Sequence, residues 1–425
     1  MSRDVPYVSG SRLRIPRRVV VLSVLALLGL AAIAAVLVLK SGGASSHFDG
    51  FVYVESNRAR PGGNSVLAYR FRENRLSFVA EYPTGGAGAI DPGVTGALDA
   101  DGQIAVDLRR RLLFAVNQGS DTVAVFRLAG DGRLIPVAGS PFGSGGKAPA
   151  SVTIAGPFLV VVNKAHDARR ALERTPPRYS VFRIGGDGSL TPTGTPFQAP
   201  PSSSPTQALA VSSRVIVGTE ESGPFRAFVV HADGSLFQGA NSPLDPEDSL
   251  FPARYEGARW AIGIVRHPAG GLIYANLPAL ARLLVYSYDG TGRLTFVRAV
   301  DNDGAKLPCW TAITPDGRRL YTANAGDGTV SAYDLSRNRE SPRRIQRLAL
   351  ERGGNPWGLA LDPAGRTLFV VDPRATFDVP RGRGNRLHAL AVGSDGRMTE
   401  LDSSPVRLPV GADASPLGIA VVPRG

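Results

Sequence analysis

One unit recurs along this chain, and it constrains the fold more than any other feature. It is clearest at Trp310–Leu335, which reads WTAITPDGRRLYTANAGDGTVSAYDL. An apolar strand, a Pro-Asp-Gly turn, a second strand, a Gly/Asp loop and a third strand follow one another, with the alternation and turn chemistry of β-hairpins. The unit returns at Ile104–Leu128 and Trp357–Ala375, with looser copies beginning at Val152, Gln207 and Trp260. A further turn and a fourth strand follow the third, at Gly130–Leu134, Gly186–Leu190, Ala232–Leu236, Gly290–Leu294 and Ser394–Met398. Four strands every ~45–55 residues is the spacing of a β-propeller.

The two ends complete the count. Phe51 opens FVYVESN, a second-strand pattern with no first strand before it, and Leu417–Pro423 (LGIAVVP) is a first-strand pattern with nothing after it. Pairing them makes one blade from both termini and removes open sheet edges. The innermost strands are then expected near Ile104, Val152, Gln207, Trp260, Trp310, Trp357 and Leu417. The fold class is therefore all-β, a seven-bladed β-propeller over residues 51–425. A chain of this length buries a large core without staples, and its one cysteine, Cys309, rules out an internal disulfide.

Val19–Leu39 is an uncharged apolar run of 21 residues. As a helix it is long enough to cross the ~30 Å hydrocarbon core of a bilayer. Arg12, Arg14, Arg17 and Arg18 precede it and only Lys40 follows closely. The positive-inside rule then places residues 1–18 in the cytoplasm as a basic tail and exports the rest, with residues 40–50 as a linker. The expectation is a single-pass membrane protein with an extracytoplasmic propeller. A cleaved signal peptide is the rival; its apolar region is usually ~7–15 residues, shorter than this one. The formal charge of +12 is partly explained here, because residues 1–40 hold +5 of it. The remainder is spread along the chain without a nucleic-acid motif or an aromatic-basic stripe, so no nucleic-acid partner is expected.

Strand direction alternates across a blade, so the start of each innermost strand and the end of each second strand share one face of the ring. The second strands end at Asn57, Asn117, Asn163, Glu220, Asn276, Asn324 and Asp372. Asn side chains suit tight turns; the functional alternative is a polar ring at the channel mouth that takes hydroxyls or carboxylates. Trp260, Trp310 and Trp357 each stand at the start of an innermost strand. They either pack between blades or wall a ring-shaped ligand with their indoles. Three insertions carry charge: Lys164–Arg178 with His166, Leu244–Arg259 with Arg254 and Arg259, and Pro373–Arg386. His166 is the acid–base candidate, with Glu220 or Glu221 to activate water or orient the imidazole. Arg254 and Arg259 are candidates to clamp an anion. Cys309 reads as a small buried filler more readily than as a nucleophile. No zinc spacing, G-x-S-x-G elbow or phosphate loop occurs, and the glycine-rich run ending at Ala97–Gly102 reads as a turn. No cofactor is expected. Oxygen ligands among the channel Asn and Asp groups would suit Ca²⁺, but no ligand loop is present.

Three segments, NSVLAYRF (Asn64–Phe71), LLFAVNQGSDTVAVFRL (Leu112–Leu128) and PCWTAITPDGRRLYTANAGDGTVSAYDL (Pro308–Leu335), resemble the lactonase-like propeller family over roughly residues 50–423. That family includes 6-phosphogluconolactonase-like proteins and the 3-carboxymuconate cyclase group, and the likeness is nearest to an uncharacterised branch. The resemblance implies opening or closing of a small lactone. It also implies Glu and His just before the Pro-Asp-Gly turns; here Trp310 stands in place of that Glu, and no His occupies the register. Two functions follow as alternatives. One is an exported hydrolase or cyclase acting at the channel face on a lactone or small anion; the other is a tethered propeller that binds an envelope protein or glycan without chemistry.

Overall fold

The computed structural model describes residues 48–89, 100–165, 175–253, 257–302, 304–374, 383–411 and 413–425. The expected membrane helix at residues 19–39 lies outside them, as do His166 and Arg254. Among the described residues, no helix is long and apolar enough to cross a membrane.

Seven antiparallel sheets follow one another around the ring, each with the strand order of a propeller blade. Blades 1 to 6 begin with innermost strands at Ile104–Asp107, Pro149–Ala155, Pro205–Ala210, Ile262–Arg266, Pro308–Ile313 and Leu359–Leu361. Trp260 and Trp357 thus stand just before their strands rather than at their first residues. Blade 7 joins the ends: Gly50–Glu55 pairs with Leu417–Pro423, with Val52 opposite Val421. Ser45–Gly425 clusters as one compact unit. Both strands that close the ring belong to it.

Why each second strand is an unbroken apolar run follows from its position. Leu112–Asn117, Val215–Glu220, Leu272–Leu277 and Thr367–Asp372 are buried at every residue, because a neighbouring blade covers each face. Alternate side chains serve alternate neighbours. In blade 2, Leu159 and Val161 pack with Phe114 and Val116 of blade 1, while Phe158, Val160 and Val162 pack with Ile216 and Phe228 of blade 3. In blade 7, Val52 and Val54 meet Phe369 and Val371 of blade 6, while Phe51 and Tyr53 meet Leu113 and Ala115 of blade 1. A one-residue slip in any second strand would disrupt both interfaces at once.

A β-bulge recurs near the top of the innermost strands. The registers jump between Pro205 and Gln207, Pro308 and Trp310, and at the equivalent points opposite Val162/Asn163 and Val54/Glu55. The extra residues are Ala150, Thr206, Cys309 and Gly418, all small. A bulge re-aims the side chain that follows it, and this turns Gln207 and Trp310 toward the channel mouth. Cys309 is therefore a buried bulge residue. Neighbouring innermost strands approach backbone to backbone here: a Cβ on Gly263, where φ is +65°, would lie 1.9 Å from the Cys309 carbonyl oxygen.

Candidate functional site at the channel mouth

The segment Ala100–Gln103 leads into blade 1 and crosses the mouth on the way. Asp101 donates its backbone N–H to the Thr206 carbonyl at 3.2 Å, and the Gly102 carbonyl accepts from Val152 N–H at 2.8 Å. The Ala100 carbonyl accepts from the Trp310 indole at 3.0 Å and from the Gln103 amide at 2.7 Å. Blades 1, 2, 3 and 5 therefore all hold this short segment.

Its position fixes the Asp101 carboxyl over the ring, half-buried. One oxygen accepts the Gly102 N–H at 2.7 Å; the other faces the Gln207 amide at 3.3 Å. Gln207 is itself locked, donating to the Ile264 carbonyl at 3.0 Å and accepting the Ile264 N–H at 2.7 Å. Burial pushes the Asp101 carboxyl up to about 6, against the opposing pull of the Gly102 hydrogen bond. A carboxyl in that range is ionised at neutral pH yet accepts and returns a proton readily. Sequence reasoning took Ala97–Gly102 for a plain turn and missed Asp101. Nothing local marks it, because the groups that bury and hold it come from blades 3 and 4, about 100 residues or more away in sequence.

The three tryptophans do gather. Trp310 and Trp357 are buried with ring centroids 4.8 Å apart, and half-buried Trp260 packs on the same cluster with Ile262 and Leu417. Packing accounts for Trp310 and Trp357; Trp260 alone keeps an exposed surface beside the mouth.

The asparagines turn inward and hold the blades together. Asn117 donates to Thr122 at 3.0 Å and accepts from Asn64 and Thr84. Asn163 donates to Ser144 and Ser180, Asn276 to Cys309 and Thr311, and Asn324 to Thr329 and Ser331. All four are fully buried, so no polar ring of asparagines faces the channel. Glu220 is likewise engaged: Arg226 grips both carboxylate oxygens, at 2.6 and 3.1 Å, with both side chains buried. Glu221 binds Lys164 at 2.9 Å and Ser204 at 2.7 Å. Arg259 is exposed, paired with Asp248 at 2.8 Å and stacked on Phe251. Asp245, Glu247 and Asp248 line the cleft beside it, so an incoming anion would meet three carboxylates.

A second polar cluster, unforeseen from sequence, lies inside blade 6. His388 Nδ1 is 2.6 Å from Glu400, and its Nε2 is 3.3 Å from Asp372. The imidazole is fully buried, and the two carboxylates raise its pKa in spite of that burial. Asp372 also accepts the Gly354 N–H at 2.7 Å, and Glu400 accepts from Ser404 and from Glu351 N–H. The signal was present, since His388 occupies an inward position of the apolar strand RLHALAV. Among the described residues, no group of three or more His, Cys, Asp or Glu side chains is arranged to hold a metal.

No known family profile matches the chain, and no curated protein matches it in sequence. Solved structures do match. The periplasmic gluconolactonase PpgL of Pseudomonas aeruginosa aligns with a TM-score of 0.66 at 17% identity, over 88% of this chain and 100% of that one. A candidate 6-phosphogluconolactonase of Bacteroides uniformis aligns with a TM-score of 0.66 at 15% identity, over 89% and 100%. A hypothetical selenium-binding protein of Sulfolobus tokodaii aligns with a TM-score of 0.60 at 13% identity, over 88% and 94%. Solved structures similar to this chain thus include 6-phosphogluconolactonase-like β-propellers, and it shares their seven-bladed fold.

Proposed function

We propose that this propeller opens a small lactone at the channel mouth, with Asp101 as the proton-transfer group. The observation that carries the reading is the Asp101 carboxyl, half-buried over the ring and poised near 6. Ionised Asp101 takes a proton from water as the water oxygen attacks the lactone carbonyl. The ring C–O bond then breaks, and the leaving alkoxide takes the proton back, giving the open hydroxy acid. Trp260 supplies an apolar wall for the substrate ring. The lactonase descriptions of the solved neighbours support the substrate class. The same proposal includes an uncleaved membrane helix at residues 19–39 that displays the propeller outside the cytoplasm, supported by the flanking arginines.

The alternative, a tethered propeller that binds an envelope protein or glycan, draws support from the internal pairing of Glu220 and His388. Both groups are committed to partners inside their own blades. Lactone hydrolysis decides between the two. A panel of sugar and aromatic-acid lactones is assayed with Ser45–Gly425 and its Asp101→Asn variant. Turnover by the parent that is lost in the folded variant supports the enzyme; no turnover above buffer selects the binding propeller.

A further inference from the structure

The ring is electrically lopsided. Its lower face is formed by the turns between first and second strands and between third and fourth strands, together with the chain ends at Gly50 and Pro423. In blades 5, 6, 7 and 1, these turns, the chain ends and the two strand residues on either side of each hold sixteen arginines against nine acidic residues. That surplus of seven matches the whole surplus of seven carried by everything after Lys40. The same turns in blades 2, 3 and 4 hold four arginines against three acidic residues. The positive charge of the propeller is thus gathered in one sector of one face.

Turn chemistry sharpens the effect. Asp316 and Asp362 fold back to accept N–H groups of their own turns, Arg318 N–H for the first and Arg366 and Thr367 N–H for the second. The side chains of Arg109, Arg318, Arg337 and Arg366 are exposed and have no ion pair or side-chain hydrogen bond among the described residues.

The chain enters the propeller in the middle of this sector, because Gly50 begins blade 7 on the same face. Ten residues separate Leu39 from Gly50, a reach of at most ~35 Å when fully extended. Resting on the membrane helix of the preceding section, we infer that this arginine sector docks on an anionic lipid surface. The tether brings the face to the headgroups, and the arginines hold it there with the opposite channel mouth open to the aqueous side. Each basic side chain near an anionic surface adds a modest, salt-screened attraction.

The test uses Ser45–Gly425, which forms a compact unit and closes its own ring, so the anchor plays no part in the result. Sedimentation compares vesicles of phosphatidylcholine with vesicles containing about one-third phosphatidylglycerol. Binding to the anionic vesicles alone, lost at about 0.5 M NaCl, is expected. The variant R109E/R318E/R337E/R366E should partition at least ~100-fold more weakly. Reversal of Arg214 and Arg266, exposed on the same face in blades 3 and 4, should change partitioning by less than about threefold. Circular dichroism and a melting curve establish that both variants fold. Equal binding to neutral vesicles, no binding to either, or full binding by the quadruple variant overturns the proposal. The helix is tested apart from it, by alkaline carbonate extraction of the full chain from membranes.

Discussion

Trp310 donates its indole N–H to the Ala100 carbonyl at 3.0 Å, joining residues 210 positions apart across the channel mouth. This bond holds the carbonyl next to Asp101, so the geometry of the candidate carboxyl depends on a tryptophan in blade 5. Trp310→Phe removes the donor and leaves space beside Trp357. A loss of about 2 kcal/mol is expected from these two effects, measured by urea denaturation. The same variant should lower lactone turnover by loosening Ala100–Gln103.

Asp101 gives a pH signature to activity and to stability. As a general base it must be ionised, so turnover should rise through about pH 6. Its folded pKa is raised above the ordinary value of 3.8. The folded state therefore binds the proton more tightly, and this group's contribution to stability falls as pH rises from about 4 to about 6. Asp101→Asn should abolish the activity and flatten that part of the stability profile. A variant that keeps turnover would remove Asp101 from the mechanism.

Glu220→Gln separates structure from chemistry. It leaves the Arg226 guanidinium buried without its carboxylate, a change expected to cost about 3–5 kcal/mol. Turnover per folded molecule should stay within about twofold of the parent, since a change below that is under 0.5 kcal/mol. A folded variant with turnover abolished would show that Glu220 acts directly.

His388 should mark the alkaline side of the stability curve. Its folded pKa is raised by Asp372 and Glu400. The contribution is fully present below the ordinary value of 6.5 and lost as pH rises through the folded pKa. Glu400 runs the other way: its pKa is lowered, so its contribution is present above 4.5 and lost as pH falls through the folded value. Melting temperature against pH should therefore decline on the alkaline flank for the parent and stay level there for His388→Asn.

Gly263→Ala tests the tightness of the ring. The new methyl would overlap the Cys309 carbonyl, and φ of +65° disfavours any L side chain. A loss of at least ~2 kcal/mol is expected. An unchanged denaturation midpoint would mean that blades 4 and 5 can separate freely.

The repeats alone determined the architecture of this protein. Period-two apolar runs and Pro-Asp-Gly turns are local signals, and the unmatched strands at Phe51 and Leu417 called for each other. They also located Trp260, Trp310 and Trp357 on one side of the ring, where the structure joins them in one cluster. Side-chain commitments were a different matter. Glu220 is closed off by Arg226, six residues away in the next strand, and the asparagines are consumed by hydroxyls of neighbouring strands. Asp101 acquires its raised pKa only because blades distant in sequence pack around it. Hydrophobic periodicity is written into neighbouring residues, so it is legible before folding. Desolvation and hydrogen-bond partners depend on which distant strands come within 3 Å, and only the closed ring decides that.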